Sequence, residues 1–504
     1  MTNTPKILGL TFDNKHTWIP FLKNLKTECL RRLNILKVIA SKNWGAEFQV
    51  LIKSYKALVL SKLDYGSIVY SSAKPSTLKI LSPIHNAGAR IATGAYCTNP
   101  ITAILSGANI LRCQKTTSTL KKSLEIRRKQ LSLSYAASKM STSSNPVYKQ
   151  ITTDNLSSVF GKKPNLPKPL NFRLRGYLMD LNINTPLVAP RKHYKSPPWT
   201  IETPLIIDKF LKVGRDINPN IVKTLYIEIT NEYQNHKQVF TDGSKSPQGT
   251  GCAVCLPDID LTFKLPDGFT VFSSEAFAVQ EALKYIEKET HNKFIIFSDS
   301  KSVILALQNC ESSDTIIRNI IELNATLSQN GKEILYSWIP SHVNIEGNEK
   351  ADIAAKAAVS STAEISNYSV SYKDLQKFFI KAITDWWNEE WKHSKPTKLH
   401  KIRDNINEIH PAWRLNRKDQ VKLTRLRIGH TSWSHSYLIT KTEPNNCDTC
   451  RTQNSIEHIL VTCLKYNTIK TQFELPNSLS VLREENSGKQ TLSFLKDIGL
   501  YHLI

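Results

Sequence analysis

Apolar residues recur every three or four positions in the first part of the chain, with lysine and arginine between them. This spacing predicts helices over residues 18–40, 46–60, 83–95 and 120–133, after one strand over residues 6–13. Gly94 is expected to end the third helix, because glycine commonly closes helices. Asp13 and Asp64 are single acids in this region and are expected to be capping or turn residues.

The pattern changes near residue 236, where short apolar runs replace the helical spacing. Strands are predicted over residues 239–241, 252–256, 262–265, 293–298 and 333–339, with 270–272 as an optional extra piece. Helices are predicted over residues 275–288, with Ser274 as the N-cap, and over 301–308, 314–327 and 346–358. Antiparallel strands followed by alternating helices and strands predict an α/β fold, with a mixed five-stranded sheet flanked by helices.

Two further stretches complete the pattern. Prolines recur between residues 141 and 235, which predicts an extended, poorly packed connector with one helix over 221–233. A helix over 372–393 carries Trp386, Trp387 and Trp391, whose spacing indicates packing against a neighbour; base stacking is the alternative. The chain therefore divides into six regions: helical (1–140), connector (141–235), α/β (236–360), helical and basic (361–440), cysteine-rich (441–470) and tail (471–504).

Charge adds a partner class to this picture. The 504 residues, enough for two to four domains, include 67 Lys and Arg against 43 Asp and Glu, a formal net charge of +24. A basic field of this size favours polyanions, most often nucleic acid, through counterion release. Membrane surfaces are the alternative, although the sequence has no apolar run of spanning length. Nucleic-acid binding without any chemistry remains open on charge alone.

Four acids give the α/β region candidate chemistry. Asp242 and Asp299 follow predicted strands, Glu275 starts a helix and Asp352 lies within the last helix. If the two strands are neighbours, the four carboxylates converge, and cations must then neutralise them. Two Mg²⁺ or Mn²⁺ ions suit an all-oxygen ligand set and would clamp a phosphodiester. His342, on the loop before the last helix, is placed to transfer protons or to help product and metal release.

The strings around these acids resemble a known family. Thr241-Asp242-Gly243-Ser244, Ser274-Glu275-Ala276, Ser298-Asp299-Ser300 and the run from Trp338 through His342 to Asp352 resemble the Asp-Glu-Asp-Asp signature of type-1 ribonuclease H. The resemblance implies that Asp242, Glu275, Asp299 and Asp352 ligate metal and that the substrate is the RNA strand of an RNA–DNA hybrid. Strand choice would depend on the 2′-hydroxyl groups. Sugar or phosphate contacts are expected from Ser244, Ser274, Asn344 and Asn348.

This sequence departs from the family pattern in one respect. Residues 302–333 contain no Trp-rich basic loop of the kind that some ribonucleases H use to hold the hybrid. We therefore expect the basic regions on either side of the α/β region to supply that grip.

A second resemblance covers the N-terminal region. The strings over residues 7–13, 60–66 and 90–95 resemble the segment after the polymerase palm in reverse transcriptases of jockey-type non-LTR retrotransposons. The resemblance implies a thumb-like helical region and a fragment of a retroelement polyprotein. The sequence has no Tyr-x-Asp-Asp tetrapeptide, so no polymerase activity is expected.

Three cysteines and a histidine near the C-terminus form a second candidate site. Cys447, Cys450, His458 and Cys463 supply the closed tetrahedral set of a structural Zn²⁺, with His430 or His435 as alternatives to His458. The arrangement resembles the Cys-Cys-His-Cys module of jockey-type elements and implies a nucleic-acid partner. Nine cysteines, an odd number, and the lack of a signal-peptide core favour an intracellular protein, nuclear or cytoplasmic. The oligomeric state is not predicted.

Two functions follow from these features. The first is metal-dependent endonucleolytic hydrolysis of RNA in RNA–DNA hybrids, by a fragment of a retrotransposon polyprotein. The alternative is a catalytically silent, nucleic-acid-binding remnant of such an element. Because all four acids are present in the sequence, a cleavage assay must separate the two.

Overall fold

The computed structural model describes residues 4–107, 129, 131–137, 169–189, 197, 200–213, 218–312, 314–361, 368–393, 396–405 and 414–504. The chain divides into two compact units. The first unit comprises Met1–Leu133, Thr153–Ile183 and Ile380–Ile504, and the second comprises Ser134–Thr152 and Asn184–Phe379. Most of the helix predicted over 120–133 and the prolines between residues 141 and 168 lie outside the described residues.

The described secondary structure is mixed. The strands are β1 Lys6–Ile7, β2 Leu10–Thr11, β3 Leu205–Ile207, β4 Lys237–Ser246, β5 Gly249–Cys255, β6 Asp260–Leu265, β7 Lys293–Ser298 and β8 Glu333–Trp338. The helices up to residue 232 are α1 Ile19–Ile39, α2 Phe48–Tyr55, α3 Ser61–Asp64, α4 Ser67–Tyr70, α5 Pro75–Leu78, α6 Ser82–Thr93, α7 Ile101–Gly107, α8 Leu170–Asp180, α9 Lys209–Val213 and α10 Pro219–Glu232. The later helices are α11 Val271–Lys288, α12 Lys301–Leu307, α13 Thr315–Gln329, α14 Glu346–Ser360, α15 Tyr372–His393, α16 Arg417–Ile428, α17 Ser432–His435, α18 Tyr437–Thr440, α19 Asn467–Gln472 and α20 Glu485–Asp497. Single turns of π or 3₁₀ geometry lie at Lys56–Leu60, Lys79–Leu81, Lys398–Lys401, His458–Thr462, Leu464–Tyr466, Leu479–Leu482 and Tyr501–Leu503.

The second unit is built on a mixed sheet of six strands in the order β3-β8-β7-β4-β5-β6. Strands β3, β8, β7 and β4 run parallel, and β5 and β6 continue antiparallel from β4. The α/β prediction is confirmed, but the predicted count of five strands is wrong. The extra strand, β3, comes from the segment predicted to be an unpacked connector and pairs Leu205 with Leu335 of β8. A three-residue strand carries too little periodicity to be recognised in a proline-rich sequence.

Two glycines allow helix α14 to lie close against this sheet. A Cβ on Gly251 of β5 would come within 2.8 Å of the Val359 backbone nitrogen. A Cβ on Gly347 would come within 2.2 Å of the Phe240 ring on β4. Such distances are well inside van der Waals contact, so both positions require glycine at this helix–sheet separation. The helix that carries Asp352 therefore sits directly over β4 and β5.

The first unit is mainly helical, and most predictions for it are confirmed. Helices α1 and α6 match the predicted spans, and Gly94 ends α6 with a φ of 68°. Asp13 caps the turn before α1, because its carboxylate accepts from the backbone N–H groups of Thr17 and Trp18 at 2.8 Å. In place of the single strand predicted over 6–13, the structure has a hairpin of two antiparallel strands, β1 and β2, of two residues each.

The tryptophans of α15 take part in the core of the first unit. Trp387 and Trp391 are each 1% exposed, in one apolar cluster with Leu399 and Ile428. Packing is therefore the confirmed interpretation for these two residues. A second cluster within this unit joins α16 to residues 456–504, with Leu423, Leu426 and Phe494 among its members.

Helix α16 buries basic side chains that were expected to face nucleic acid. Arg417 donates to the carbonyls of Ala92 and Ile91 at 2.7 and 3.2 Å, and Arg425 donates to Gly94 O at 2.9 Å. These are the free carbonyls at the end of α6, so the two guanidinium groups cap that helix. Burial lowers the pKa of Arg417 to about 10. This part of the basic C-terminal region therefore uses its charge within the first unit.

Two general features bear on the sequence-based expectations. None of the described helices is long and apolar enough to span a bilayer. The eight cysteines in the described part of the chain are all free thiols.

Candidate active site and metal-binding clusters

Parallel pairing of β4 with β7 brings Asp242 and Asp299 together. The last paired residues of this ladder are Thr241 and Ser298, so each aspartate is the first residue beyond it. The strand predicted over residues 239–241 is longer than expected, and Asp242 lies within it. Strand β4 continues to Ser246, because residues 240–246 remain paired with β5. The sheet therefore opens on one side of β4 only, and the carboxylates occupy that opening.

Gly243 brings Glu275 to the same place. A Cβ on Gly243 would lie 2.4 Å from the backbone nitrogen of Glu275 and 2.6 Å from the carbonyl carbon of Ser274. Glycine is needed here because α11 crosses β4 at this point, and no turn is involved. The predicted helix start at Ser274 is also wrong: Thr270 is the N-cap and α11 begins at Val271. The hydroxyl of Ser274 instead donates to Val271 O within the helix, at 2.8 Å.

Asp242, Glu275 and Asp299 form a close carboxylate cluster. One ligand oxygen from each lies within 4.8 Å of the others, and Asp242 and Glu275 are each 5% exposed. Burial, followed by the charges of Asp299 and Asp352, raises the pKa of Asp242 to about 7. Burial and the neighbouring aspartates also raise the pKa of Glu275 well above its usual range, and burial raises that of Asp299. The site therefore disfavours three negative charges unless a cation is present.

Asp352 lies on α14 beside this cluster. The negative charge of Asp352 contributes to the raised pKa values of Asp242, Glu275 and Asp299, so the four carboxylates interact electrostatically. Its own carboxylate is paired with Lys356, one turn further along the helix, at 2.7 Å. Asp352 also lies within 4.8 Å of ligand atoms of His342 and Glu349, a second cluster at the edge of the first. His342 is exposed in a turn with a φ of 56°, and its Nδ1 is 3.9 Å from Glu349.

The residues present fit divalent cations with a preference for oxygen. Glu275 Oε2 is buried and has no hydrogen-bond partner among the described residues. An unpaired, buried carboxylate oxygen is costly, whereas a hard cation would satisfy it together with Asp242 and Asp299. The set contains no thiolate, and its histidine is at the exposed edge. This chemistry matches Mg²⁺ or Mn²⁺ rather than a softer metal.

The four expected substrate contacts occupy different environments. Asn344 is exposed, with a φ of 58°, in the turn that carries His342. Ser244 is half-buried on β4. Ser274 is fully buried, with its hydroxyl bonded inside α11, and Asn348 is 3% exposed. Of the four side chains, therefore, only those of Asn344 and Ser244 are exposed enough to contact a substrate.

Sequence reasoning overlooked three residues of the site. The hydroxyl of Ser341 hydrogen-bonds to Asp299 and lowers its pKa, against the larger effect of burial. The backbone N–H of Gly243 hydrogen-bonds to Asp242 and Glu275 and has the same effect on both. Lys356 neutralises Asp352. The spacing of four residues between Asp352 and Lys356 on a helix was a usable signal for that pair.

The four C-terminal ligand candidates also converge, in the first unit. One ligand atom from each of Cys447, Cys450, His458 and Cys463 lies within 4.8 Å of the other three. The sulfur atoms of Cys447 and Cys463 are 3.9 Å apart. A tetrahedron with Zn–S bonds of about 2.3 Å has an edge of about 3.8 Å. His458 is 7% exposed, and its Nε2 has no partner among the described residues, whereas Nδ1 contacts two threonine hydroxyls.

Local backbone geometry favours a thiolate at the start of this cluster. A hydrogen bond from the backbone N–H of Cys450 is the largest of the influences that lower the pKa of Cys447 to about 6. Burial raises the pKa of Cys463 to about 11, so this thiol needs a metal to ionise. His430 and His435, the alternative ligands, instead stack on each other at 3.9 Å between ring centroids. His435 is also bonded to Lys398, at 3.0 Å.

Comparison with known proteins matches one span of the chain to a family model. Residues 234–360 match the family model for RNase H. No curated protein matches the chain. The matched span contains strands β4 to β8 and all four acids, while β3 lies before it. Residues 234–360 are therefore an RNase H domain.

Proposed function

We propose that the RNase H domain of this chain hydrolyses the RNA strand of RNA–DNA hybrids with two divalent cations. Asp242, Glu275, Asp299 and Asp352 would hold the cations. The observation that carries the proposal is the buried carboxylate cluster at the open side of β4, with an unpartnered oxygen on Glu275. Without a cation, the ionised cluster would hold several negative charges in one buried site, which is unfavourable.

The bound cations would supply an activated water and charge stabilisation for the leaving 3′ oxygen. The protein's part is to hold the carboxylates and to manage protons. Ser341 and the Gly243 N–H orient Asp299, Asp242 and Glu275 by hydrogen bonds. His342 is exposed beside Glu349, where it can exchange protons between the site and solvent.

The exposed turn that follows β8 would contact the substrate. Ser341, His342 and Asn344 all lie in this turn next to Asp299. Hydroxyl and amide groups in this position can bond to a 2′-hydroxyl, the group that distinguishes RNA from DNA. Ser244 on β4 is the second candidate. Selection of the RNA strand would therefore depend on this turn.

Cleavage of a labelled hybrid by the full chain tests the proposal. The wild type should cut only the RNA strand, in the presence of Mg²⁺ or Mn²⁺. D299N should lose at least about a hundredfold in rate, since loss of a metal ligand should cost no less than loss of a ligand's hydrogen-bond partner. The exposed Asp267 supplies a matched control, because D267N makes the same charge change outside the cluster. Hybrid binding by the wild type without cleavage would instead support the catalytically silent alternative.

We also propose that the Cys447, Cys450, His458 and Cys463 cluster binds a structural Zn²⁺. The support is the convergence of four soft ligands with a free, buried His458 Nε2. Protein ligands would fill all four coordination positions of the ion and leave none for a substrate. The role of the zinc would therefore be to stabilise the first unit. Contact with nucleic acid is a further expectation for this region.

For the chain as a whole, we propose an origin in a jockey-type retroelement polyprotein, within a cell and acting on nucleic acid. The support is the N-terminal strings, the helical first unit and the terminal cysteine pattern. No Tyr-x-Asp-Asp tetrapeptide occurs in the sequence. Primer extension by this chain on an RNA template should therefore give no product, and an extended product would contradict the expected lack of polymerase activity.

A further inference from the structure

The loop before α11 is held by two segments that lie outside the RNase H match. Residues 186–189 and 368–374 pair with each other: Val188 bridges Val370, and Val370 N donates to Leu187 O at 2.7 Å. We call these two segments the N-cap clamp. Both belong to the second unit, on either side of the matched span in sequence.

The N-cap clamp first contacts the loop at Gly268. This glycine has a φ of 106°, and a Cβ placed on it would lie 3.2 Å from Pro186 Cγ and 3.3 Å from Val370 Cγ1. The side chains of the clamp therefore close directly on the backbone of the loop. Tyr368 continues the contact further along α11, with its ring 4.3 Å from that of Phe277.

The second contact joins Asp374 to the N-cap of α11. Thr270 Oγ1 donates to Asp374 Oδ1 at 2.8 Å, while it also accepts from Ser273 N. The other carboxylate oxygen of Asp374 accepts from Ser371 Oγ at 3.0 Å, at the start of α15. Asp374 is 2% exposed. One buried carboxylate therefore links the first residues of α15 to the first residues of α11.

This link bears directly on the catalytic cluster. Glu275 lies five residues after Thr270, within the second turn of α11. An N-cap fixes where a helix begins, and a rigid helix passes that position on to the side chains of its next turns. Asp242 and Asp299 are held by the sheet, so the placement of Glu275 relative to them depends on α11.

We propose that Asp374 is a positioning residue for Glu275, acting through Thr270, and that the N-cap clamp is a working part of the RNase H site. The inference rests on the function proposed above, because it concerns how that site binds cations. It extends the functional domain to segments on both sides of residues 234–360. Asp374 itself touches no reacting atom.

Mn²⁺ binding by the full, zinc-loaded chain tests the inference without reference to turnover. Free Mn²⁺ is counted by electron paramagnetic resonance, and D299N defines the background. D374A should raise the dissociation constant about fivefold, less than the loss typical of a direct partner of a ligand. T270V should do the same, and the double variant should add less than about twofold, because both remove one interaction. D374N retains a carbonyl oxygen for Thr270 and should bind nearly as well as the wild type.

Thr431 is the matched control for T270V. It is also a buried N-cap threonine, 2% exposed, that accepts from the backbone of the first turn, but it caps α17 in the first unit, which carries none of the four carboxylates. T431V should lower the unfolding temperature comparably and leave Mn²⁺ binding unchanged. Thermal unfolding identifies any variant that does not fold, and T270V then decides the question alone.

The outcomes separate the two proposals. Wild-type Mn²⁺ binding no better than that of D299N would overturn both the proposed function and this inference. Wild-type binding above background, with D374A and T270V equal to wild type, would overturn the inference alone. Equal losses in T431V and T270V would also overturn it, since general destabilisation would then explain both.

Discussion

Lys356 Nζ lies 2.7 Å from Asp352 Oδ2, so the fourth acid of the site is paired with a cation from its own helix. This pair raises the pKa of Lys356, to which Asp242 also contributes. A divalent cation that binds Asp352 through Oδ2 would have to displace the ammonium group. Lys356 would therefore compete with a cation for this oxygen.

Removing this competitor should strengthen metal binding. We expect K356M to lower the Mn²⁺ dissociation constant about two- to fivefold, the range typical of one solvent-exposed ion pair. The measurement is the Mn²⁺ titration described above, at low ionic strength. Lys350 provides the control, because it also lies on α14 and forms an ion pair, 2.8 Å long, with Asp260 of β6. Tighter binding in K350M as well would indicate a general charge effect.

Gly243 should tolerate no side chain. A methyl group there would overlap the backbone of Glu275 and Ser274, so G243A must push α11 away from β4. We expect a loss of about 1–3 kcal/mol in the free energy of unfolding. Cleavage should fall more than hybrid binding, because Glu275 moves with the helix.

A glycine with free space around it controls for this change. On α8, a methyl group added to Gly176 would meet no atom within 4 Å, so G176A should be neutral or slightly stabilising. Wild-type cleavage by G243A would show that α11 does not approach β4 as closely as described.

Zinc content should depend on the C-terminal cysteines. We expect the wild type to hold one zinc per chain by elemental analysis and C463S to hold none. Loss of the metal should lower the unfolding temperature of the first unit, because the unpaired thiols and His458 would remain buried. C97S changes an exposed, free cysteine and should keep its zinc. Full zinc content in C463S would exclude this residue as a ligand.

The histidine pair predicts loss of stability in acid. Burial, then the charge of Lys398, lowers the pKa of His430 to about 4 and that of His435 to about 3. Unfolded histidine titrates near 6.5, so below that pH the unfolded chain binds protons that the folded chain does not. Each imidazole should therefore reduce the free energy of unfolding by up to about 1.4 kcal/mol per pH unit as the pH falls from 6.5 towards 4.

The local geometry explains this direction. Lys398 Nζ donates to His435 Nε2 at 3.0 Å, so a proton on that nitrogen would place two cations in contact. Denaturant unfolding between pH 7 and pH 4.5 measures the slope, and H435Q should make it shallower. An unchanged slope in H435Q would assign the acid sensitivity to other groups. His342, exposed in the second unit, supplies the H342Q control.

The sequence by itself was enough to find the residues that could carry chemistry. Asp242 and Asp299 follow apolar runs, and the cysteines and His458 have ligand spacing, both of which are local patterns. Helix spans were also readable, because an amphipathic period of 3.6 persists over ten or more residues. In the same way, the packing of Trp387 and Trp391 followed from their positions on one helix.

Only the tertiary structure decided which groups approach one another. The sixth strand, the role of Gly243 and the inward-facing arginines of α16 all depend on contacts between residues distant in sequence. A glycine in Thr-Asp-Gly-Ser reads locally as a turn, whereas here it makes room for a helix. The basic sequence of α16 likewise suggests a nucleic-acid-binding surface. In the structure, its arginines instead donate to carbonyl groups at the end of α6. Local pattern reports the chemistry of a side chain, and the packing partner determines whether that chemistry faces solvent, a ligand or the protein itself.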